Sequence, residues 1–218
     1  MAQHVHLETV LLALMRRLNE SERLSAYGDR WVSYPFTRPP KFTVKHRDHL
    51  AEIAFLKSFI AWEMFLEESF VLYLLGKKAP MAARPHRKLV PSNRNVAEKL
   101  FIPEKRKYAN WSVTDFIVER AEKCFQAGTE PYSSALTTYN SRLTQIKSIR
   151  NAIAHASSST QESFKKIARD RLIVGVYPAG LTVGGFLSTT VPATHPPESF
   201  LENYLATLRL AATDIVPT

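Results

Sequence analysis

A long apolar segment constrains the fold of this chain more than any other feature. Residues from about His46 to Leu75 are predicted to form one helix that ends at Gly76, because glycine adopts the left-handed conformation that commonly caps a helix. The apolar side chains of this helix occupy more than one of its faces, and they are Ile53, Phe55, Leu56, Phe59, Ile60, Trp62, Met64, Phe65 and Leu66. A helix that is apolar on two sides must bury both, so we expect it at the centre of a bundle or against a second subunit.

Charged residues inside this segment argue against a membrane crossing. Residues 53–75 contain four of them, namely Lys57, Glu63, Glu67 and Glu68. Charges are costly inside a bilayer, so the segment is expected to be a buried protein helix. Residues 1–15 carry histidines and Glu8 in place of the basic start of a secretory signal, and the single cysteine of the chain is typical of a reducing compartment. We therefore predict a cytoplasmic protein with no membrane partner.

Patterns in the rest of the chain predict a mainly α-helical fold. Helical spacing of apolar residues, with capping and breaking residues at the ends, predicts further helices over residues 3–24, 95–101, 114–126, 131–154, 160–168 and 199–215. Two β-prone runs, Arg171–Tyr177 and Leu181–Leu187, flank Pro178-Ala-Gly180, which predicts a hairpin. The predicted fold class is a helical bundle with a small β-hairpin near the C-terminus.

The predicted domain organisation is a single domain over residues 1–218. Gly28, Pro35, Pro39 and Pro40 are expected to break the first helix within residues 27–41. The expected segments are an N-terminal helix and Pro-rich arm (1–45), a helical core (46–170) with a basic insertion (77–107), and the hairpin with a closing helix (171–218).

The positive charge of the chain is concentrated in that basic insertion. The whole chain carries 29 Lys and Arg against 20 Asp and Glu, and the insertion holds ten of the basic residues but only two acids. Such a block can attract a polyanion through its phosphates, although a solvated loop is an alternative. The residues that we predict to bind RNA are Lys77, Lys78, Arg84, Arg87, Lys88, Arg94, Lys105, Arg106 and Lys107.

A short motif, Arg150-Asn-Ala-Ile-Ala-His155, combines the side chains needed to cleave an RNA phosphodiester. Histidine can exchange a proton with the attacking 2′-hydroxyl or the leaving 5′-oxygen. Arginine can hold the non-bridging oxygens and neutralise the charge that grows in the transition state. Because RNA supplies its own nucleophile, this chemistry requires neither a metal nor a cofactor.

The spacing of this motif limits how it can work. Residues five apart on an α-helix point about 140° away from each other, so Arg150 and His155 of one ideal helix do not meet at one phosphate. Either the helix unwinds near Ala154, or two copies of the motif face each other across a dimer axis. A purely structural alternative is that Arg150 and His155 form an ion pair or cap the helix end.

Two stretches of the sequence resemble a known protein group. Arg150–His155 resembles the signature of the HEPN superfamily, which is an Arg, commonly a polar residue, and a His after four to six intervening positions. Phe59-Ile-Ala-Trp-Glu-Met-Phe-Leu-Glu67 resembles the Ala-Trp-Glu-x-Phe-Leu-Glu pattern of its RiboL-PSP-like branch. The order of elements agrees over roughly residues 46–215, and Ala156 departs from the glycine common in the branch.

This resemblance implies a helical bundle that homodimerises along the motif helices and builds one composite endoribonuclease site. It further implies cleavage without a metal, products ending in 2′,3′-cyclic phosphate, and a role as a toxin or antiphage-defence effector restrained by an antitoxin or regulatory protein. By the resemblance, Arg150 binds the scissile phosphate, His155 is the acid or base, and Asn151 orients them. Glu63 is a weaker candidate for positioning the pair, and a surface-facing or dimer-facing charge is its alternative.

A non-catalytic protein is the competing interpretation of the same residues. Such a protein would use the bundle to dimerise and the basic insertion to bind nucleic acid or an acidic protein partner. The presence of Arg150, Asn151 and His155 together favours the enzyme, since a scaffold needs none of them. His46 and His49 lie three residues apart, but a third ligand at a suitable spacing is missing, so we expect no metal site.

Overall fold

The computed structural model describes residues 6–33, 42–102, 110–155, 157–174 and 176–218. Those residues are mainly helical, which confirms the predicted α-helical class. The helices in this part of the chain are α1 (Leu7–Ser33), α2 (Val44–Leu74), α3 (Arg94–Lys99), α4 (Thr114–Cys124), α5 (Tyr132–Thr138), α6 (Asn140–Ala154), α7 (Ser158–Leu172), α8 (Val183–Ser188) and α9 (Phe200–Ile215).

The chain divides into two compact units. Unit 1 comprises Met1–Met15, Ala61–Leu143 and Leu208–Thr218, and unit 2 comprises Arg16–Ile60 and Thr144–Thr207. The single-domain organisation expected from the sequence stays a prediction. Among the described helices, none is both long and apolar enough to cross a membrane.

Unit 1 is built around an aromatic cluster on the second half of α2. The ring of Phe70 lies 4.4 Å from that of Phe101 and 4.7 Å from that of Tyr132, measured between centroids. The Phe101 ring also packs at 5.0 Å from Trp111. Phe101 belongs to the predicted basic insertion, so the insertion contributes a buried anchor to the core of this unit. Aromatic pairs of this kind stabilise a core beyond the area that they bury.

Unit 2 has a second aromatic core. The rings of Phe186 and Phe200 stack with centroids 4.3 Å apart, and Phe164 of α7 packs edge-on against Phe186 at 5.6 Å. Tyr204 is fully buried, yet its hydroxyl is hydrogen-bonded to Gln145 Oε1 at 3.0 Å. This hydrogen bond links α9 to α6. It also gives the Tyr204 hydroxyl a partner, without which its burial would be costly.

The predicted β-hairpin is wrong. No strand is present in the described residues, which show only two isolated bridges, Arg87 with Phe125 and Thr190 with Ser199. The second predicted strand is instead α8, whose first turn is capped by Thr182 Oγ1 accepting from the Gly185 N–H at 2.8 Å.

Close packing explains why β-prone residues adopt a helix there. A Cβ added to Gly184 would lie only 2.1 Å from the carbonyl oxygen of Asp48, so the α8 backbone packs directly on α2. Asp48 Oδ2 also accepts a hydrogen bond from the Thr182 hydroxyl at 2.6 Å. Tertiary contacts of this kind override local β propensity.

Two helix boundaries also differ from the predictions. Helix α1 continues through Gly28 to Ser33, and a Cβ on Gly28 would lie 3.3 Å from the Arg47 Cα, so α1 passes close to α2. The helix predicted over 131–154 is divided at Tyr139, whose hydroxyl donates to Asp214 Oδ2 at 3.1 Å. The prolines at 35, 39 and 40 lie outside the described residues.

Candidate functional site

The Arg/Asn/His motif occupies the carboxyl-terminal end of α6. Its rotation is fixed by Ile146, Ile149 and Ala152, which are all buried. Because these three side chains recur at helical spacing, they form the face that packs inward. Arg150 and Asn151 consequently lie at the flank of the helix, where both are half-buried.

Arg150 is held by two contacts within unit 2. Its guanidinium carbon lies 5.5 Å from the centre of the Phe59 ring, and its Nη1 donates a hydrogen bond to Asn151 Oδ1 at 3.1 Å. A guanidinium over an aromatic face is stabilised by the quadrupole of the ring. Arginine has five N–H donors in a planar fork, so a fixed guanidinium is suited to binding an oxyanion.

His155 directly follows the last residue of α6. Its backbone N–H donates to the Asn151 carbonyl at 2.9 Å, so helical hydrogen bonding continues as far as His155. The side chain is exposed, and no described residue is hydrogen-bonded to its imidazole. Since α6 does not unwind before His155, Arg150 and His155 of one chain point about 140° apart.

Two side chains of α7 hold the backbone around His155. The Thr160 hydroxyl donates to the His155 carbonyl at 2.7 Å, and Gln161 Nε2 donates to the Ala152 carbonyl at 3.0 Å. Carbonyls at a helix end otherwise lack partners. Helix α7 itself is capped by Ser157, whose hydroxyl accepts from the Thr160 N–H.

The sequence interpretation missed Phe59, Thr160 and Gln161 as supports of the motif. The Ser-rich stretch after His155 did indicate a helix start, since serine is a preferred N-cap. The reach of Thr160 and Gln161 back to α6 depends on the angle of the intervening turn, which no local pattern encodes. Residue 156, where the sequence departs from the family pattern, lies outside the described part of the chain.

Glu63 belongs to a different unit from the rest of the motif. It is half-buried on α2 within unit 1, whereas Arg150, Asn151 and His155 all lie in unit 2. Glu63 has an interaction partner of its own. Its proposed role in positioning Arg150 or His155 stays a prediction.

Three cations of the basic insertion bind acceptors within unit 1. Arg87 Nη1 donates to the Leu74 carbonyl at 2.8 Å, and Lys88 Nζ donates to the Glu122 carbonyl at 2.8 Å. Arg94 forms ion pairs with Glu98 (Nε to Oε1, 2.6 Å) and with Glu68 (Nη1 to Oε2, 3.0 Å). These contacts attach the insertion to α2 and α4.

The other predicted RNA-binding residues have different surroundings. Lys78 and Arg84 are exposed and Lys77 is half-buried, and the structure records no ion pair between these side chains and any residue that it describes. Lys105, Arg106 and Lys107 lie outside the described residues. Of the six predicted RNA-binding cations that the structure describes, three therefore have no ion pair with a described residue, and the other three attach the insertion to unit 1.

A cluster of charges in unit 2 surrounds Arg47. Arg47 Nη2 contacts Asp48 Oδ1 at 2.7 Å, and its Nε lies 3.9 Å from Asp29 Oδ1. Burial raises the pKa of Asp29, while the charge of Arg47 opposes that rise and those of Glu202 and Asp48 add to it. Among the described residues, no three His, Cys, Asp or Glu side chains are arranged to hold a metal ion.

The chain matches none of the family models, curated proteins or solved structures with which it was compared. Its function must therefore be inferred from the residues and from their geometry. The Arg150, Asn151 and His155 set is the strongest candidate, because it brings a fixed guanidinium and an exposed imidazole to one end of one helix.

Proposed function

We propose that this protein is a metal-independent endoribonuclease of the HEPN type that acts in the cytoplasm. One observation carries the proposal: the guanidinium of Arg150 is fixed by Phe59 and Asn151 on the same helix end that presents the His155 imidazole to solvent. Membership of the HEPN superfamily is part of the proposal, and it is supported by the sequence patterns at Arg150–His155 and Phe59–Glu67.

The proposed chemistry uses the 2′-hydroxyl of the substrate as the nucleophile. His155 accepts its proton while the 2′-oxygen forms a bond to phosphorus, and the bond from phosphorus to the 5′-oxygen breaks. The leaving 5′-oxygen takes a proton from water, His155 returns its proton to the solvent, and the products are a 2′,3′-cyclic phosphate and a 5′-hydroxyl. Arg150 binds the non-bridging oxygens, where negative charge accumulates in the transition state. Asn151 positions Arg150 through the hydrogen bond between their side chains.

A homodimer forms part of this proposal. Arg150 and His155 of one chain diverge on an intact helix, so a second copy is required to bring an Arg and a His to the same phosphate. Two apolar side chains on the part of α2 that belongs to unit 2 support a partner surface, since Ile53 and Ile60 are 41% and 55% exposed. They lie seven residues apart, which places them on one face of the helix.

The basic insertion is also proposed to bind RNA. Its exposed cations, Lys78 and Arg84, together with half-buried Lys77, support that role because phosphate contacts supply sequence-independent affinity. We further propose that the enzyme acts as a toxin or antiphage-defence effector, held inactive by an antitoxin or regulatory protein.

A non-catalytic dimer is the alternative, and one observation favours it. His155 lies at the carboxyl end of α6, where a positive charge is stabilised by the helix dipole, and Arg150 is stabilised over Phe59. Both residues would therefore stabilise the fold even in a protein without catalytic activity.

Cleavage of total RNA in the presence of EDTA separates the two functions. The wild type is expected to leave 2′,3′-cyclic phosphate ends, and His155→Ala is expected to cut at least about a hundredfold more slowly, as for loss of a general acid or base. His49→Ala removes another exposed histidine, which lies outside both the motif and the basic insertion, and should cut like the wild type. Equal cutting by His155→Ala, or loss of wild-type activity in EDTA, would contradict the proposal.

A further inference from the structure

One face of α6 is only partly covered by the rest of the protein. At 100° per residue, Thr144, Lys147, Ser148 and His155 all point within about 60° of Asn151. Each of these five residues is exposed or half-buried. On the opposite side, Ile146, Ile149 and Ala152 are buried and turn this polar face outward.

The charge on this helix is entirely positive. Helix α6 contains Arg142, Lys147 and Arg150, and it has no Asp or Glu anywhere along its length. A surface helix of a folded protein commonly balances its cations with acids three or four residues away. Helix α6 therefore supplies no carboxylate to its own cations, and a ligand with negative charge would complement them.

Lys147 differs from the other cations of α6 in its surroundings. Arg150 is engaged by Asn151 and Phe59, and Arg142 has an interaction of its own. Lys147 forms no ion pair or side-chain hydrogen bond with any residue in the described ranges. It is half-buried, so its stem lies along the protein surface while its ammonium group can extend beyond it.

We infer that Lys147 binds a second phosphate of the RNA, next to the phosphate that is cut. This inference rests on the proposed ribonuclease function and adds a residue to its substrate site. Lys147 precedes Asn151 by four residues, so it lies about one helical turn from the reacting phosphate along α6. A lysine ammonium binds a phosphate as a point charge, without the planar fork of arginine.

The small polar side chains of this face fit the same ligand. Thr144 and Ser148 flank Lys147 with short hydroxyl-bearing side chains, so a backbone of sugars and phosphates can approach closely and accept hydrogen bonds from them. The substrate must then extend beyond the scissile phosphate on the Lys147 side. A dinucleotide with one phosphate lacks the group that Lys147 binds, whereas a longer strand contains it.

The first test measures binding in the absence of cleavage. A single-stranded oligonucleotide with 2′-O-methyl groups cannot react, and its affinity is measured by fluorescence anisotropy between 50 and 200 mM salt. For Lys147→Gln we expect weaker binding and a salt slope reduced by about 0.7, the value for one phosphate contact on a single strand. Lys147→Arg keeps the charge and should bind like the wild type.

The matched control is Lys166→Gln, which removes an exposed lysine from α7 of the same unit. Its affinity and salt slope are expected to equal those of the wild type. Circular dichroism melts of all three variants should overlay the wild-type curve, since none of the changes removes a buried side chain. An unchanged affinity and slope for Lys147→Gln, or an equal loss for Lys166→Gln, would overturn the assignment of Lys147.

The second test measures cleavage. Lys147→Gln should raise KM several-fold for an oligonucleotide and leave kcat unchanged, but it should cut a dinucleotide at the wild-type rate. Equal defects on both substrates would overturn the second-phosphate contact. An acidic peptide that competes with the oligonucleotide and shows the same dependence on Lys147 would overturn the assignment to RNA.

The two proposals fail in different ways. If the wild type binds the oligonucleotide with the expected Lys147 dependence but cuts no RNA, the nuclease function fails and the phosphate contact stands. If the wild type cuts RNA and Lys147→Gln behaves like it in both tests, the contact fails and the nuclease function stands.

Discussion

The basic insertion and the end of α6 both carry clustered cations, but the two regions use them differently. In the insertion, Arg87, Lys88 and Arg94 bind carbonyls and carboxylates of unit 1. On α6 there is no acid, and Lys147 has no partner among the described residues. The denser cluster is therefore partly structural, while the sparser one leaves a cation available to a ligand.

This difference shows that local net charge overstates how much of a basic segment can bind a polyanion. A cation that already has a carboxylate or a carbonyl acceptor must give up that bond before it can bind a phosphate. Arg94 illustrates the cost, because its bonds to Glu68 and Glu98 raise its pKa and hold it in the ion pairs. Loss of such a residue should change stability before it changes binding.

Among substitutions in the two cationic regions, the largest effect is expected at Arg150. Arg150→Ala should lower the rate of RNA cleavage by about a hundredfold to a thousandfold, the usual loss when one transition-state donor is removed. The measurement is single-turnover cleavage of a fluorescent oligonucleotide, which isolates the chemical step. Arg209→Ala, another half-buried arginine, is a control that should retain activity. If both variants cleave at the wild-type rate, α6 is not a catalytic helix.

Arg87 and Arg84 provide a matched pair within the insertion. Arg87→Met should lower the free energy of unfolding by about 2 kcal/mol, because a hydrogen bond from a charged donor to the Leu74 carbonyl is lost. Arg84→Met removes an exposed side chain, so it should leave stability within about 0.5 kcal/mol of the wild type and weaken RNA binding. Urea unfolding measures the stability of both variants, and fluorescence anisotropy measures their RNA binding. The reverse pattern would mean that the insertion does not use its cations as the hydrogen bonds indicate.

Loss of the Gln161 side chain, which supports the end of α6, should have a smaller effect on stability. Gln161→Ala should reduce the free energy of unfolding by about 1 kcal/mol, since the Ala152 carbonyl loses its side-chain donor. If that support also positions His155, cleavage should slow by a factor of a few while KM stays constant. Ser163→Ala, which removes a hydroxyl bonded only within α7, is the matched control. A KM defect without a kcat defect would contradict a positioning role.

Features of the fold that depend on local patterns could be predicted from the sequence. Helical periodicity located α2, α4 and α9 to within a few residues, and Gly76 ends α2 with a φ of 82° as its left-handed cap requires. The Arg150–His155 motif was also recognisable, because its residues lie within six positions of one helix.

Features that depend on distant contacts could not be predicted. Helix α8 forms because Gly184 packs on the Asp48 backbone, 136 residues earlier in the chain, whereas the local composition favours a strand. The structural role of Arg94 depends on Glu68, which lies 26 residues away. The same is true of Phe59 beneath Arg150, since no short-range pattern pairs an aromatic residue with an arginine so far along the chain.

Arg47 is a structural cation of unit 2, and the smallest effect is expected at its neighbour Asp29. Burial holds the pKa of Asp29 above its ordinary value of 3.8 despite the nearby Arg47. The folded state therefore binds this proton more tightly than the unfolded chain does, and stability is lost as pH rises through the raised pKa. Asp29→Asn removes that loss, so its melting temperature should exceed that of the wild type by more at pH 7 than at pH 3.5. Thermal melts of both proteins at the two pH values test this. A smaller difference at pH 7 would show that the ion pair with Arg47 outweighs the cost of burial, and Asp29 would then stabilise the fold as Glu68 and Glu98 are inferred to do around Arg94.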